Sequence, residues 1–382
     1  MRIRTRAHRR GRAHSDDSKE KLYVASSRQL VWWKFSRHRM AMISMGVLIV
    51  LYLTAIFADS VAINDPAVLD TRHINQPPQR LHFVDAEGRF HLRPFVYGVL
   101  KALDRVTLIE IYTEQPERVY PLRLFARGYS YRLLGIFQTD VHLFGIEATD
   151  EGYFPFGTDR VGRCVYSRII LGTRISLTIG LVGIAVSFIL GILIGGISGY
   201  YGGVFDILIQ RFIEFIRSIP DLPLWMALSV ALPPFWPVTK IYFGIVLILS
   251  FIGWTGTARV VRGKFMALKE EDFTMAARLD GESKLSIIFR YLLPSFYSHI
   301  IASLTLSLPG MILGETALSF LGLGLRSPAI SWGVLLREAQ SIEVLAYRPW
   351  NLIPGIFIVV TVVAFNFMGD GLRDAADPYS RV

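Results

Sequence analysis

The sequence predicts an all-α membrane protein with six spans and a small, mostly β insert outside the membrane. Of the 382 residues, 52% are hydrophobic and the mean hydropathy is +0.40, an apolar excess that the surface of a soluble protein does not carry. The apolar residues gather into six blocks of about 20 residues, the length a helix needs to cross a bilayer. The stretch between the first two blocks is polar and rich in strand and turn signals.

The first block, residues 40–58, follows a basic tail and is interpreted as a retained membrane helix. Residues 1–39 hold twelve Lys and Arg against three acidic residues, and thus nearly all of the net charge of +10. Basic residues beside a first span stay in the cytoplasm. The tail is far longer than the leader of a cleaved signal peptide, and no nucleic-acid-binding module accompanies it. We therefore expect a cytoplasmic N-terminus, contact with membrane lipid and no nucleic-acid partner.

Residues 59–168 form the polar insert, which this topology places outside the membrane. Residues 81–92 are typical of a β-hairpin, with a turn at Asp85–Gly88 between two short apolar runs. Residues 108–112 and 141–146 have further strand-like patterns. The sequence therefore predicts a small β domain in the periplasm.

Five more apolar blocks follow, near residues 173–200, 204–232, 240–259, 296–324 and 350–369. Together with the first block they predict six spans and place both termini in the cytoplasm. The loop between the fourth and fifth blocks is rich in Lys and Arg, as short cytoplasmic loops are. We therefore expect a five-helix core over 169–382, with a cytoplasmic loop at 260–295.

Two of these blocks contain ionisable residues. The third holds Arg211, Glu214 and Arg217, and the fifth holds Glu315. Charges within a span are costly unless they pair or face a protein interior or water. The spacing of three residues allows pairs on one helix face. Two interpretations remain open, namely ion pairs that hold helices together and contacts with a solute on its path.

The segment 272–294, DFTMAARLDGESKLSIIFRYLLP, predicts a short helix, a turn at Gly281, a second helix and a stop at Pro294. The pair Ala276–Ala277 leaves one patch without bulk, where a partner surface can approach closely. The second helix has one apolar stripe, formed by Leu285, Ile288 and Leu292. Between two spans on the cytoplasmic side, such a segment is well placed to be moved by a partner.

This segment resembles the coupling loop of ABC-importer permeases, whose pattern is Glu-Ala-Ala, three residues, Gly, and later Leu-Pro. Further motifs at 156–163, 172–177, 199–203, 315–324, 369–374 and 377–378 are similar to the "C" subunit branch of the dipeptide, oligopeptide and nickel permeases. Met275 stands in place of the Glu, and Cys164 in place of a usual Asp. The resemblance assigns coupling to the following residues: Asp272, Phe273, Met275, Ala276, Ala277, Arg278 and Gly281.

The resemblance implies a type I ABC-importer permease core in the bacterial inner membrane. Its partners would be a homologous second permease, two ATPase subunits and an external solute-binding protein. ATP and Mg would bind the ATPase subunits, because this chain has no phosphate-binding loop and no metal-ligand spacing. The chain itself would not be an enzyme. The implied solute is a di- or oligopeptide, with an oligosaccharide or a nickel complex as alternatives.

Two other classes of protein fit the sequence less well. A membrane-anchored enzyme with a catalytic outer domain would need a nucleophile, metal or carboxylate motif in the insert, and none is recognisable. An ion channel would need a filter-like repeat and would not need a coupling loop. For the insert itself two roles stay open, docking of the binding protein and a structural cap over the outer gate.

Overall fold

The computed structural model describes residues 27–103, 110–147 and 151–376. Most of the basic tail, part of the strand expected at 108–112 and the motif at 377–378 lie outside these residues. The helices before and around the insert are α1 Ser27–Arg37, α2 Arg39–Ile56 and α3 Ala58–Val61. The core helices are α4 Val165–Tyr201, α5 Gly203–Arg217, α6 Asp221–Val230, α7 Val238–Leu268, α8 Asp272–Leu279, α9 Lys284–Ser286, α10 Leu293–Ser295, α11 Tyr297–Phe320, α12 Trp332–Glu338, α13 Ile342–Tyr347 and α14 Ile353–Ala376.

Five described helices are long and apolar enough to cross a membrane, namely α2, α4, α7, α11 and α14. The expected third span over 204–232 is not a single helix. It divides into α5 and α6 at Ser218–Pro220, because Pro220 and Pro223 lack the backbone N–H that would continue the helical ladder. Of the six expected spans, five are thus long apolar helices in the described residues, and the third consists of two shorter helices.

The two halves of the broken segment still carry the chain from one end of the bundle to the other. Helices α4 and α7 run parallel, since Gly183 lies beside Ser250 and Gly199 lies beside Arg262. The chain must therefore return between them, and α5–α6 provide the return. This part of the chain runs antiparallel to α7. Asp206 at its start pairs with Arg262, and Leu232 at its end packs on Gly244, which lies earlier in α7.

Small residues allow the close packing of α4 on α7. A Cβ atom built on Gly195 would lie 2.4 Å from the carbonyl oxygen of Ala258, so only glycine fits there. Gly191 and Gly199, four residues to either side, meet α7 equally closely. These three glycines of α4 therefore serve close helix packing.

The bundle has two distinct ends. At one end, Arg174 near the start of α4 bonds the carbonyl oxygen of Ala55 and the carboxylate of Asp59. The insert leaves the bundle there. At the other end, Gly371 of α14 packs on Ala41 of α2, and the segment 269–296 links α7 to α11. The insert and the expected coupling loop therefore lie at opposite ends, called the outer and inner ends below.

The described part of the insert contains five strands in two antiparallel sheets. One sheet has the order β1 His82–Val84, β2 Phe90–Leu103 and β3 Glu110–Pro121, and the other pairs β4 Arg123–Leu133 with β5 Phe137–Gly145. The expected hairpin over 81–92 is present as β1, its turn and the start of β2. The strand pattern at 141–146 falls in β5, whereas β4 was not expected.

The loop that precedes α4 joins the insert to the bundle. The Asn75 amide donates to the carbonyl of Asp159 at 3.0 Å, and the Thr158 amide donates to that of Gln76 at 2.9 Å. From the other side, the indole of Trp350 donates to the carbonyl of Thr158 at 2.9 Å. Hydrogen bonds thus connect the insert to the loop before α4 and connect that loop to Trp350, just before α14.

Candidate functional site

The inner-end segment 269–296, here called the coupling loop, begins with α8. The Lys284–Ser286 helix follows after a turn at Gly281, whose φ of +79° confirms the expected left-handed turn. A Cβ at Gly281 would meet no atom within 4 Å, so the backbone angle alone selects glycine there. Two backbone hydrogen bonds close the turn. The Gly281 amide donates to the carbonyl oxygen of Arg278, and the Glu282 amide donates to that of Ala277.

Helix α8 has one face toward the bundle and one face away from it. Ala277 is 3% exposed and belongs to a buried cluster with Val261 and Phe265 of α7 and with Ile287. The other residues assigned to coupling are exposed, namely Asp272, Phe273, Met275, Ala276, Arg278 and Gly281. Ala276 and Ala277 therefore lie on different faces of α8. Ala276 is open to a partner, whereas Ala277 packs inside this chain.

The second half of the coupling loop is not a regular α-helix. Residues 287–292 form a π-helical turn just before Pro294, where the missing N–H prevents a regular hydrogen bond to Arg290. The helical path passes Pro294 and breaks only at Phe296, so the predicted stop lies two residues early. Of the expected apolar stripe, Ile288 and Leu292 are buried, but Leu285 is 64% exposed because the wider turn shifts the helical phase.

Two tyrosines at the end of α4 hold basic residues of the coupling loop. The Arg278 guanidinium lies 5.9 Å from the ring centre of Tyr200, and the Lys284 ammonium lies 5.2 Å from that of Tyr201. Both are cation–π contacts. They connect the coupling loop directly to the longest helix of the bundle.

An ion pair at the inner end was not foreseen from the sequence. Arg262 of α7 bonds both carboxylate oxygens of Asp206 of α5, each at 2.5 Å, and Ser198 of α4 donates to the same carboxylate. Three core helices therefore meet at one carboxylate next to the coupling loop. The partners are 56 residues apart in sequence, and no local pattern joins them.

The charged residues of the third block have different surroundings. Arg211 and Glu214 pair at 2.7 Å on the outward face of α5, where their side chains are 77% and 54% exposed. Glu214 makes no pair with Arg217 in the described part of the chain; Arg217 instead lies against α7 near Gly256. One of the two expected pairs thus forms, and it faces away from this chain's core.

Glu315 is fully buried in α11. Its carboxylate accepts hydrogen bonds from the hydroxyls of Ser319 at 2.8 Å and Ser331 at 2.7 Å. Ser331 also caps α12 by accepting from the Val334 amide. Among the described residues no cation pairs with Glu315, and in this conformation no open surface of the chain reaches it. The carboxylate holds the loop between α11 and α12.

The outer end contains a buried network of four charged side chains. Arg168 of α4 bonds Glu338 of α12 at 2.5 Å and 3.1 Å, and Asp159 at 2.9 Å. Arg163 bonds the same two carboxylates at 2.7 Å and 2.8 Å. Burial would raise the pKa of Glu338, but its hydrogen bond and charge interaction with Arg168 outweigh this and lower the pKa.

The two departures from the family pattern lie in different surroundings. Cys164, just before α4, is 2% exposed, and burial raises the pKa of its thiol. The position of the usual Asp therefore carries no negative charge beside the four-residue network. Met275 is 46% exposed on the outward face of α8, so an apolar side chain replaces an acidic one on the surface open to a partner.

Comparisons with known proteins agree with these features. Residues 191–382 match the family of binding-protein-dependent transport system inner membrane components, and residues 26–78 match the N-terminal membrane domain of oligopeptide transport permease C. The chain is 41% identical to the oligopeptide permease OppC of Haemophilus influenzae over 245 residues, 64% of this chain and 76% of that one. It is 38% identical to the dipeptide permease DppC of Bacillus subtilis, over 59% of this chain and 69% of that one. Among solved structures, the methionine transporter MetNI covers 55% of this chain and 96% of its own, with 18% identity and a TM-score of 0.42.

Proposed function

Because the chain belongs to the family of binding-protein-dependent transport system inner membrane components, we propose that it forms half of the translocation path of an ATP-driven importer. A homologous permease supplies the other half. Two ATPase subunits bind the inner end, and a solute-binding protein delivers the solute to the outer end. ATP and Mg bind on the ATPase subunits, and this chain hydrolyses nothing itself.

The observation that carries the proposal is the construction of the coupling loop. Its outward face exposes three apolar side chains, with Phe273 at 40%, Met275 at 46% and Leu279 at 89% exposure. Its opposite face is fixed to α4 and α7 through buried packing and the tyrosine contacts. A partner that moves the exposed face therefore moves both long parallel helices with it.

This arrangement supports alternating access. When the ATPase subunits close on ATP, they displace α8, and the displacement passes through Ala277 to α7 and through Tyr200 to α4. The Asp206–Arg262 pair extends it to α5, on which the exposed Arg211–Glu214 pair lies. That pair faces either the partner permease or the solute path.

The solute we propose is a di- or oligopeptide, as the names of the two relatives state for those proteins. An oligosaccharide or a nickel complex is the second candidate, on the family resemblance alone. The membrane is the bacterial inner membrane, with both termini and the coupling loop in the cytoplasm. The insert then faces outward, where it either docks the binding protein or caps the outer gate.

Reconstitution of the assembled importer in proteoliposomes tests this function. The complete complex and its binding protein should accumulate a labelled peptide when ATP is supplied to the side of the ATPase subunits. Omission of this chain should abolish the accumulation. Uptake of an oligosaccharide or nickel but not of peptide would overturn the proposed solute. Uptake in the absence of this chain would overturn its proposed role as permease.

A further inference from the structure

A basic cavity lies between the coupling loop and the inner end of α4. It has a volume of about 400 Å³, and its lining residues are Tyr200, Lys269, Glu270, Arg278, Glu282, Lys284 and Ile287. Three cations therefore face one space, together with two carboxylates.

The carboxylates do not neutralise all three cations. Glu282 interacts with Arg290 at 3.7 Å, and Glu270 lies 3.8 Å from Lys269. Within the described ranges, Arg278 and Lys284 have no carboxylate within 4 Å. Their charges are instead placed by the rings of Tyr200 and Tyr201. The cavity thus presents two fixed, uncompensated cations and a third, loosely paired one.

The cavity also lies where a membrane helix ends. It adjoins Tyr200 and Tyr201, the last residues of helix α4, and tyrosines are enriched at the interfaces where membrane helices leave the bilayer. Directly after them, Val204 and Phe205 are 71% and 67% exposed, an apolar surface suited to acyl chains. An anionic headgroup could therefore contact the cations of the cavity while the acyl chains contact the adjoining apolar surface.

We infer that this cavity binds the phosphate group of an anionic lipid of the inner leaflet, with Lys269, Arg278 and Lys284 as its cationic contacts. A bound phosphate would hold the start of the coupling loop at Lys269 to its later residues Arg278 and Lys284, beside Tyr200 of α4. The inference rests on the proposed inner-side position of the coupling loop. A free phosphate ion has the same chemistry but gains nothing from the adjoining apolar surface.

Native mass spectrometry of the assembled importer complex tests the inference by counting bound lipids. Phosphatidylglycerol, phosphatidylcholine and inorganic phosphate are added separately to the wild-type complex and to the K269A/K284A variant. Phosphatidylglycerol should bind the wild-type complex in preference to phosphatidylcholine. The double variant should bind it roughly 30-fold more weakly, because each cation near a membrane surface contributes about 1 kcal/mol and 1.4 kcal/mol is tenfold.

Two further variants control the result. Lys264→Ala removes one exposed inner-end charge outside the cavity and should leave binding unchanged. Lys284→Arg keeps the cation and should also retain binding. Equal binding by wild type and K269A/K284A would overturn the inference, as would saturation by inorganic phosphate without preference for phosphatidylglycerol. Failure of phosphatidylglycerol to bind the assembled wild-type complex would also overturn it, since a protein surface would then fill the cavity. Lipid counting needs no transport, so its outcome is separate from that of the uptake assay.

Discussion

The pair Ala276 and Ala277 offers a matched test of which face of the coupling loop meets a partner. Substitution of either by Leu adds the same three carbon atoms at adjacent positions of the same helix. Ala277 is 3% exposed within a packed cluster, so the added atoms must displace neighbours such as Phe265. Overpacking of this kind costs about 1–3 kcal/mol. Ala276 is exposed, where a substitution changes the free energy of unfolding by about 0.5 kcal/mol or less.

The two variants should therefore have different defects, one in stability and the other in coupling. Ala277→Leu should lower the apparent Tm of the purified complex by several degrees, at about 2–4 °C per kcal/mol, and should lower protein level and transport together. Ala276→Leu should keep the wild-type Tm. If the exposed face sits in a groove of an ATPase subunit, the same overpacking weakens docking by about 5- to 150-fold and uncouples ATPase activity from uptake.

Thermal unfolding, ligand-stimulated ATPase activity and uptake, measured at equal subunit stoichiometry, distinguish these outcomes. A normal Tm in Ala277→Leu with uncoupled transport would mean that Ala277 is itself a contact with the ATPase subunit. Wild-type behaviour of Ala276→Leu in all three assays would refute the assignment of the exposed face.

Three other predictions follow from single residues. Gly281→Asn should keep coupling, whereas Gly281→Val should reduce it, because the φ of +79° tolerates Asn but penalises a β-branched residue; ATPase-coupled uptake of the two variants is the measurement. Glu315→Ala should lower the free energy of unfolding by about 2–4 kcal/mol through loss of two hydrogen bonds to a buried carboxylate, and Glu315→Gln by less, as measured by thermal unfolding in detergent. Glu338→Gln should cost about 3–5 kcal/mol, because it leaves two buried arginines with one carboxylate. The folded pKa of Glu338 is below the ordinary 4.5, so its stabilisation is present above that pH and is lost as the pH falls below it; the unfolding temperature of wild type should drop over this range more than that of Glu338→Gln.

The sequence was most informative where one physical constraint acts along a continuous stretch. A span needs about 20 apolar residues in a row, so the five long helices were visible directly. The turn at Gly281 was visible for the same reason, since a positive φ selects glycine locally. In the third block, apolar length alone does not predict one helix, because Pro220 and Pro223 lack the N–H groups that would continue it.

Contacts between distant residues could not be predicted in this way. Arg168 and Glu338 are 170 residues apart, and only the approach of α4 and α12 brings them together. The different burial of Ala276 and Ala277 likewise depends on which face of α8 packs on α7. The composition of the segment does not show which face that is. The apolar stripe of Leu285, Ile288 and Leu292 was predicted from α-helical spacing. The π-helical turn before Pro294 changes that spacing, so the three residues do not share one face.

The central claim is that the exposed face of the coupling loop contacts an ATPase subunit at the inner end of the bundle. A photo-crosslinking residue placed at position 276 of the assembled complex tests it most directly, with the same residue at position 101 of the insert as control. The account predicts a crosslink from position 276 to an ATPase subunit that changes in yield when ATP binds, and none from position 101. A crosslink to the ATPase subunit from position 101, or none from position 276 in any nucleotide state, would contradict it.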